Sequence, residues 1–269
     1  MNHHFQRWIT GIIAAPLLLI FIIYSSEKIF SLLILVVIEL AVWEYNRLAF
    51  EEGQYAWEKG EVFVFAAAVV TSAYLGDFIL VASALTFCLL VSFFVFLFRI
   101  KGPVIDVSRI GKVVLGFMYM PLLMSSFISL RLLSQGVRWV IFPVVLAFCG
   151  DVFGFYTGRA IGKRKLQPLI SPGKTVEGTL GMIFGSALGS LAFQKLFFTE
   201  LPVIHALFLG IFGGILGQLG DLFESAVKRS AGVKDAGFIF PGHGGILDRL
   251  DSLSFIAPFV FYYQHFFIK

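Results

Sequence analysis

Charge is what this chain has least of. Only 14% of its 269 residues are Asp, Glu, Lys or Arg, while 58% are hydrophobic and the mean hydropathy is +0.88. Soluble domains run at about 25% charged and about 45–50% apolar, so a soluble globular fold is excluded. No polar stretch is long enough to form a soluble domain of its own. Cysteine is nearly missing as well. Cys88 and Cys149 both sit in apolar runs, which excludes a disulfide framework or a thiolate metal site and leaves two small buried hydrophobes. The start of the chain holds Arg7 before an apolar run, as a signal peptide would. No small-residue cleavage motif follows, however, so this run is expected to stay as a helix. An internal repeat is absent too, which argues against a transporter built from inverted halves.

What is abundant is apolar sequence of membrane-spanning length. The runs fall at 8–25, 29–48, 62–75, 77–98, 110–133, 139–160, 176–198, 202–224 and 252–268, predicting an all-α polytopic membrane protein of about nine helices. The run at 62–75 is short and is parted from the next only by Gly76 and Asp77, so it reads either as half of a tight hairpin or as part of one kinked helix. Charge decides between them. With nine spans, one side of the membrane keeps only Lys28, Arg131, Arg138, Lys195 and Lys269 of the 21 Lys and Arg residues. An eight-span count segregates them less well. The positive-inside bias then puts the N-terminus and the loops around 159–174 and 228–249 in the cytoplasm. Glycines repeat every fourth residue at Gly181, Gly185 and Gly189, and again at Gly210, Gly214 and at Gly213, Gly217, spacing that lets helices approach closely in lipid.

Against this background one segment stands out. Residues 217–252 carry Asp221, Glu224, Asp235, Asp248 and Asp251 beside Lys228, Arg229, Lys234 and Arg249. Ionisable residues wedged between membrane-length apolar runs point to a functional site. Acids can hold a divalent cation, and cations with a metal can hold phosphates. Asp221, Glu224, Ser225 and Lys228 fall at i, i+3, i+4 and i+7 and share one helix face. A surface ion pair with Lys228 accounts for Glu224 without invoking function; Asp221 is deeper and calls for a bound cation. Capping of the last helix would explain Asp251 or Ser252, but not the preceding His243-Gly244-Gly245, where glycine lets backbone amides approach a phosphate. His243 reads equally as an acid–base group or as a hydrogen-bonding loop residue. A second cluster spans 150–178. It holds Asp151, the basic run Lys163-Arg164-Lys165, and Ser171-Pro172-Gly173-Lys174-Thr175. The Gly-Lys-Thr is like a phosphate loop, but Walker spacing is missing and no strand is expected before it. Lys174 with the backbone at a helix start still suits a phosphate. Glu177 is expected to cap Lys174 or Thr175, the basic run to attract anionic lipid or set topology, and Glu39, Glu44 and Arg47 to pair locally.

The segment from Ser225 through Lys228-Arg229, Lys234-Asp235, Pro241, His243-Gly244-Gly245 and Asp248-Arg249-Leu250-Asp251 resembles the C-terminal pattern of phosphatidate cytidylyltransferases, also called CDP-diacylglycerol synthases, with no departure at those positions. The upstream block from Gly150-Asp151 to Gly178 resembles the same family, which has tryptophan where this chain has Val176. The resemblance implies a membrane enzyme joining CTP to phosphatidate, with a magnesium requirement, a possible second cation and a homodimer. It implies that Asp221 and Asp248 bind metal, with Asp251 a further ligand or the partner of one. Lys228, Arg229 and Arg249 would hold phosphates, as would Ser171, Lys174 and Thr175, with Ser225, Lys234, His243, Gly244 and Gly245 at the substrate. The whole chain is expected to form one membrane-embedded unit, with helices of 1–135 supporting an active site in 136–269. A bacterial plasma membrane and a cytoplasm-facing site fit the charge pattern. In a soluble protein, the isoelectric point near 9.1 would suggest nucleic acid; here the basic residues track the membrane side, and no nucleic-acid partner is expected. An ion transporter, a CDP-alcohol phosphotransferase and a non-catalytic scaffold are the rival classes. The charges crowd one membrane end, the phosphotransferase motif is missing, and a scaffold needs no such acid–base density.

Overall fold

The computed structural model describes residues 16–51, 53, 55–100, 105–237, 239 and 244–268. It is almost wholly helical. A helical stretch over 16–24 leads into α1 (Glu27–Ala49), α2 (Ala56–Tyr74) and α3 (Phe78–Phe98). A continuous rod follows, made of α4 (Ser108–Phe117), a π-helical turn (Met118–Leu122) and α5 (Leu123–Arg131). Then come α6 (Gly136–Ile161), a hairpin of β1 (Lys165–Gln167) and β2 (Ser171–Thr175), α7 (Val176–Phe197), α8 (Val203–Ser230) and α9 (Leu247–Phe267). Six helices among the described residues are long and apolar enough to cross a membrane: α1, α3, the Ser108–Arg131 rod, α6, α7 and α8.

The expected apolar runs from 29–48 onward each lie on a helix, while the first begins outside the described residues. Gly76 and Asp77 do separate two helices. Gly76 takes a left-handed φ of +76°, and the Asp77 carboxylate accepts the Ile79 amide at 2.8 Å to start α3. Three boundaries differ from expectation, for one reason. Helices α2, α8 and α9 extend past their apolar runs, to Ala56, Ser230 and Leu247, because charged residues end a hydropathy run without ending a helix. The expectation that no strand precedes Ser171–Thr175 is corrected: β1 lies just before it, and SPGKT is itself a strand paired antiparallel with β1. The two strands of this hairpin hold eight residues between them, too few and too polar to register from periodicity.

Helices α6, α7 and α8 pack through glycine and polar contacts. A methyl group at Gly214 would come within 2.8 Å of the Ile183 Cα, and one at Gly210 within 2.7 Å of the Ala187 Cα. Between these closely set backbones, Ser186 Oγ donates to the Leu146 carbonyl at 2.8 Å and Gln194 Nε2 to that of Leu201 at 2.9 Å. Small residues and interhelical hydrogen bonds replace the hydrophobic drive that lipid cannot supply. The other half, α1 to α5, is held by large side chains such as Phe30, Ile38, Phe117 and Ile128. Pro121 has no amide to donate, and the rod widens to a π turn there, which places Tyr119 inward. Helix α9 joins the halves, touching α8 on one side and α5 on the other.

Candidate active site at the ends of α8 and α9

The site begins with a close approach. Gly220 on α8 faces the Asp251 carbonyl of α9 so tightly that a methyl group there would overlap it, and would also meet Phe255 at 3.1 Å. This contact sets Asp221 beside Asp251. Glu224, one turn further along α8, points to the same place. Asp221, Glu224 and Asp251 each offer an oxygen, and the three lie within 4.8 Å of one another. Two lysines flank the trio. Lys174 Nζ, from β2, lies 2.6 Å from Asp221. Lys228 Nζ lies 2.6 Å from both Glu224 and Asp248. Glu224 is only 1% exposed; its Oε2 meets Lys228, and its Oε1 has no hydrogen-bond partner among the described residues. Three carboxylates this close repel one another, the more so with Glu224 buried, and a cation held among them would offset that repulsion.

The expected acids are thus brought together in part. Asp221 and Asp251 converge; Asp248 turns away. Its Oδ2 accepts the amides of Ala236 at 3.0 Å and Gly245 at 2.8 Å, and its Oδ1 takes Lys228 at 2.6 Å. With both oxygens engaged, it ties the loop after α8 to α9. Glu224 takes the third place in the trio. Its pairing with Lys228 is as expected, but the pair is buried, not on the surface, because α8 runs on to Ser230 and α9 covers it. Spacing alone could not separate Asp248 from Asp251, since both lie in α9 at i and i+3. Asp251 sits in the second turn and is no cap.

The remaining expected residues spread around this centre. Thr175 caps α7 by accepting the Gly178 amide at 3.1 Å. Glu177 does not cap Lys174 or Thr175; it accepts the amides of Lys163 and Arg164 and closes the loop leaving α6. Arg229 donates to the carbonyls of Ile170 and Val233, joining the β hairpin to the loop beyond α8. Lys234 and Arg249 are exposed, while Ser171 and Ser225 are half-buried. Gly244 needs its left-handed φ of +79°, and a methyl group there would reach the Asp248 carboxylate. His243 and Pro241 lie outside the described residues. Beside the trio opens a cavity of about 560 Å³, lined by Asp151, Gly154, Gly158, Lys174, Thr179 and Asp221 among others. Asp151 lies in electrostatic reach of Asp221, Lys174 and Arg249.

Two residues of this neighbourhood escaped the sequence. Tyr119 is 3% exposed, packs edge-on against Phe223 and interacts electrostatically with Glu224 and Asp251. Only the π turn directs it there. Glu44, expected to pair locally, instead reaches the loop before α9, and Arg47 lies over the Trp43 ring. An acid inside an otherwise apolar helix was the available signal.

A sequence model of the cytidylyltransferase family matches residues 5–267. The chain belongs to this family. It is 41% identical over 156 residues to the phosphatidate cytidylyltransferase of Bacillus subtilis (58% of each chain). It is 42% identical over 149 residues to that of Staphylococcus epidermidis (55% of this chain, 54% of the relative). Over 131 residues it is 44% identical to the uncharacterized protein YnbB of Escherichia coli (49% and 44%). The aligned part spans about half the length of these curated relatives.

The tight α8–α9 crossing gives a direct expectation. Gly220→Ala places a methyl group against a backbone carbonyl that no rotamer change can move. Overpacking of this kind costs about 1–3 kcal/mol, and separation of Asp221 from Asp251 should lower activity too. Thermal unfolding in detergent reads the first effect; an unshifted midpoint would mean the helices have room to spare.

Proposed function

We propose that this chain transfers a cytidylyl group from CTP to phosphatidate, giving CDP-diacylglycerol and pyrophosphate. The observation that carries the reading is the acidic trio flanked by Lys174 and Lys228 beside a cavity of nucleotide size. Family membership and relatives named phosphatidate cytidylyltransferase support it. In the reaction a phosphatidate phosphate oxygen attacks the α-phosphorus of CTP. The new P–O bond forms as the bond to the β-phosphate breaks, and pyrophosphate leaves with that electron pair. Both reactants are polyanions, so the protein's main tasks are positioning and charge compensation.

Asp221, Glu224 and Asp251 would hold Mg²⁺, with room in the acid-rich cavity for a second cation near Asp151. The metal when bound supplies positive charge to the phosphate oxygens. Lys174 is placed to exchange its contact with Asp221 for a phosphate. Lys228 keeps Glu224 and Asp248 paired and can turn a remaining proton donor to the leaving pyrophosphate. Gly154 and Gly158 let α6 lie close against α7 at the wall of the cavity. The same reading assigns CTP and phosphatidate as partners, a homodimer, a multi-pass protein of the plasma membrane, and a site facing the cytoplasm. Charge segregation and the α7–α8 pair, which brings the β hairpin and the C-terminal part of α8 to one end, support that orientation.

The test uses purified protein in detergent with labelled CTP and phosphatidate, with and without Mg²⁺. Label is expected to enter the organic phase only with the metal. Folded protein that transfers none would overturn the reading and favour an ion pathway through the same acids.

A further inference from the structure

Among the described residues no acid is less exposed than Glu44, at 0%, and it stands on α1, far in sequence from the site. Burying a carboxylate costs several kcal/mol unless it is satisfied, on the order of what a buried ion loses in hydration. The hydrogen bonding it has comes from one place, and Oε1 has no partner among the described residues. Oε2 accepts the Leu247 amide at 2.9 Å, across 203 residues of sequence, and the Ile246 amide is within hydrogen-bonding reach. Helix α9 has Ile246 at its N-cap and no side chain of its own to cap it. Glu44 therefore supplies an acceptor, and a negative charge at the positive helix end, from another helix. The loop backbone also wraps the carboxylate. Methyl groups at Gly237 or Gly245 would each overlap it, so both glycines are in contact with Glu44.

From this geometry we infer that Glu44 is a positioning residue for the reaction. It fixes the backbone at Gly237 and at Gly245–Leu247. Those points carry Asp248, whose oxygens take the Ala236 and Gly245 amides and Lys228; Lys228 in turn holds Glu224 of the trio. An unbroken line of hydrogen bonds and ion pairs thus runs from α1 to the acids. This explains why an acid, and not a leucine, occupies a fully buried position in α1. The inference rests on the transferase reading for its kinetic test but not for its structural one.

The test combines Glu44→Ala, Glu44→Gln, Gly237→Ala and the double variant Glu44→Ala/Gly237→Ala. Folded protein is quantified for each by gel filtration and thermal unfolding. In Glu44→Ala, kcat per folded molecule is expected to fall about 100-fold, the effect of misplacing groups by an ångström, with KM for CTP nearly unchanged. Trypsin should cut faster after Lys234, which lies exposed on the released loop. Glu44→Gln keeps an acceptor for Leu247 and should recover part of kcat. Gly237→Ala alone should resemble Glu44→Ala, because the buried carboxylate has nowhere to swing; added to Glu44→Ala it should cost little more. Unchanged kcat per folded molecule, unchanged cleavage, or additive losses in the double variant would overturn the inference. If wild-type protein transfers no cytidylyl group but Glu44→Ala still speeds cleavage, the transferase reading fails and the clamp stands.

Discussion

Asp251→Asn is expected to abolish most turnover while leaving the protein at least as stable as wild type. Asparagine keeps the shape of the side chain and the acceptor for the Ser252 amide, which Asp251 Oδ1 takes at 2.6 Å. What it removes is one of three carboxylates that lie within 4.8 Å of one another. Without bound metal those charges repel, so relief of repulsion should hold or raise the unfolding midpoint. Activity should move the other way, by about 10²–10³-fold, the usual loss when one preorganised electrostatic group is deleted. Mg²⁺ adds a further readout. A cation that binds only folded protein raises the midpoint of wild type with concentration and should do so much less for the variant. Opposite signs for stability and turnover mark a site held for chemistry. A variant that keeps its turnover would remove the trio from the mechanism.

Lys228→Met carries the second large effect, and here stability falls together with activity. Lys228 is the shared partner of Glu224 and Asp248, with contacts of 2.6 Å to each and 13% of its side chain exposed. Methionine fills similar space but leaves two largely buried carboxylates without a cation. Removing one member of a buried ionic cluster costs about 3–5 kcal/mol. Adding Glu224→Gln should return part of that stability, since one of the orphaned charges is gone, while turnover stays low. Chemical or thermal unfolding of the single and double variants measures this coupling directly. Stability unchanged in Lys228→Met would show that the acids find water or another cation, and that the lysine is not their anchor.

Much of this was legible beforehand. Hydropathy alone required an all-helical membrane protein, because a backbone in lipid must satisfy its own hydrogen bonds. The residues around 221–251 announced a site through their charge, since ionisable groups at such depth are costly. The 3.6-residue period placed Asp221, Glu224 and Lys228 on one face, as the structure bears out. Glycine spacing correctly marked the seams between α6, α7 and α8.

Partner choice was not legible. Sequence spacing made Asp248 and Asp251 equivalent, and it made Glu224 look like half of a surface ion pair and Glu44 like a locally paired acid within its span. Their roles depend on which backbone atoms meet them across space. Gly220 lets α8 touch α9 and so brings Asp221 and Asp251 together. Ala236 and Gly245 capture Asp248. Leu247 captures Glu44, and a π turn forced at Pro121 sends Tyr119 toward the acids. The sequence by itself determined the solvent in which the chain folds, the helices, and the chemical type of the site, because each of these follows from local composition and period. Only the tertiary structure decided which carboxylates converge and which merely hold the loop, because that turns on close approaches between segments as far as 203 residues apart, and no local pattern encodes them.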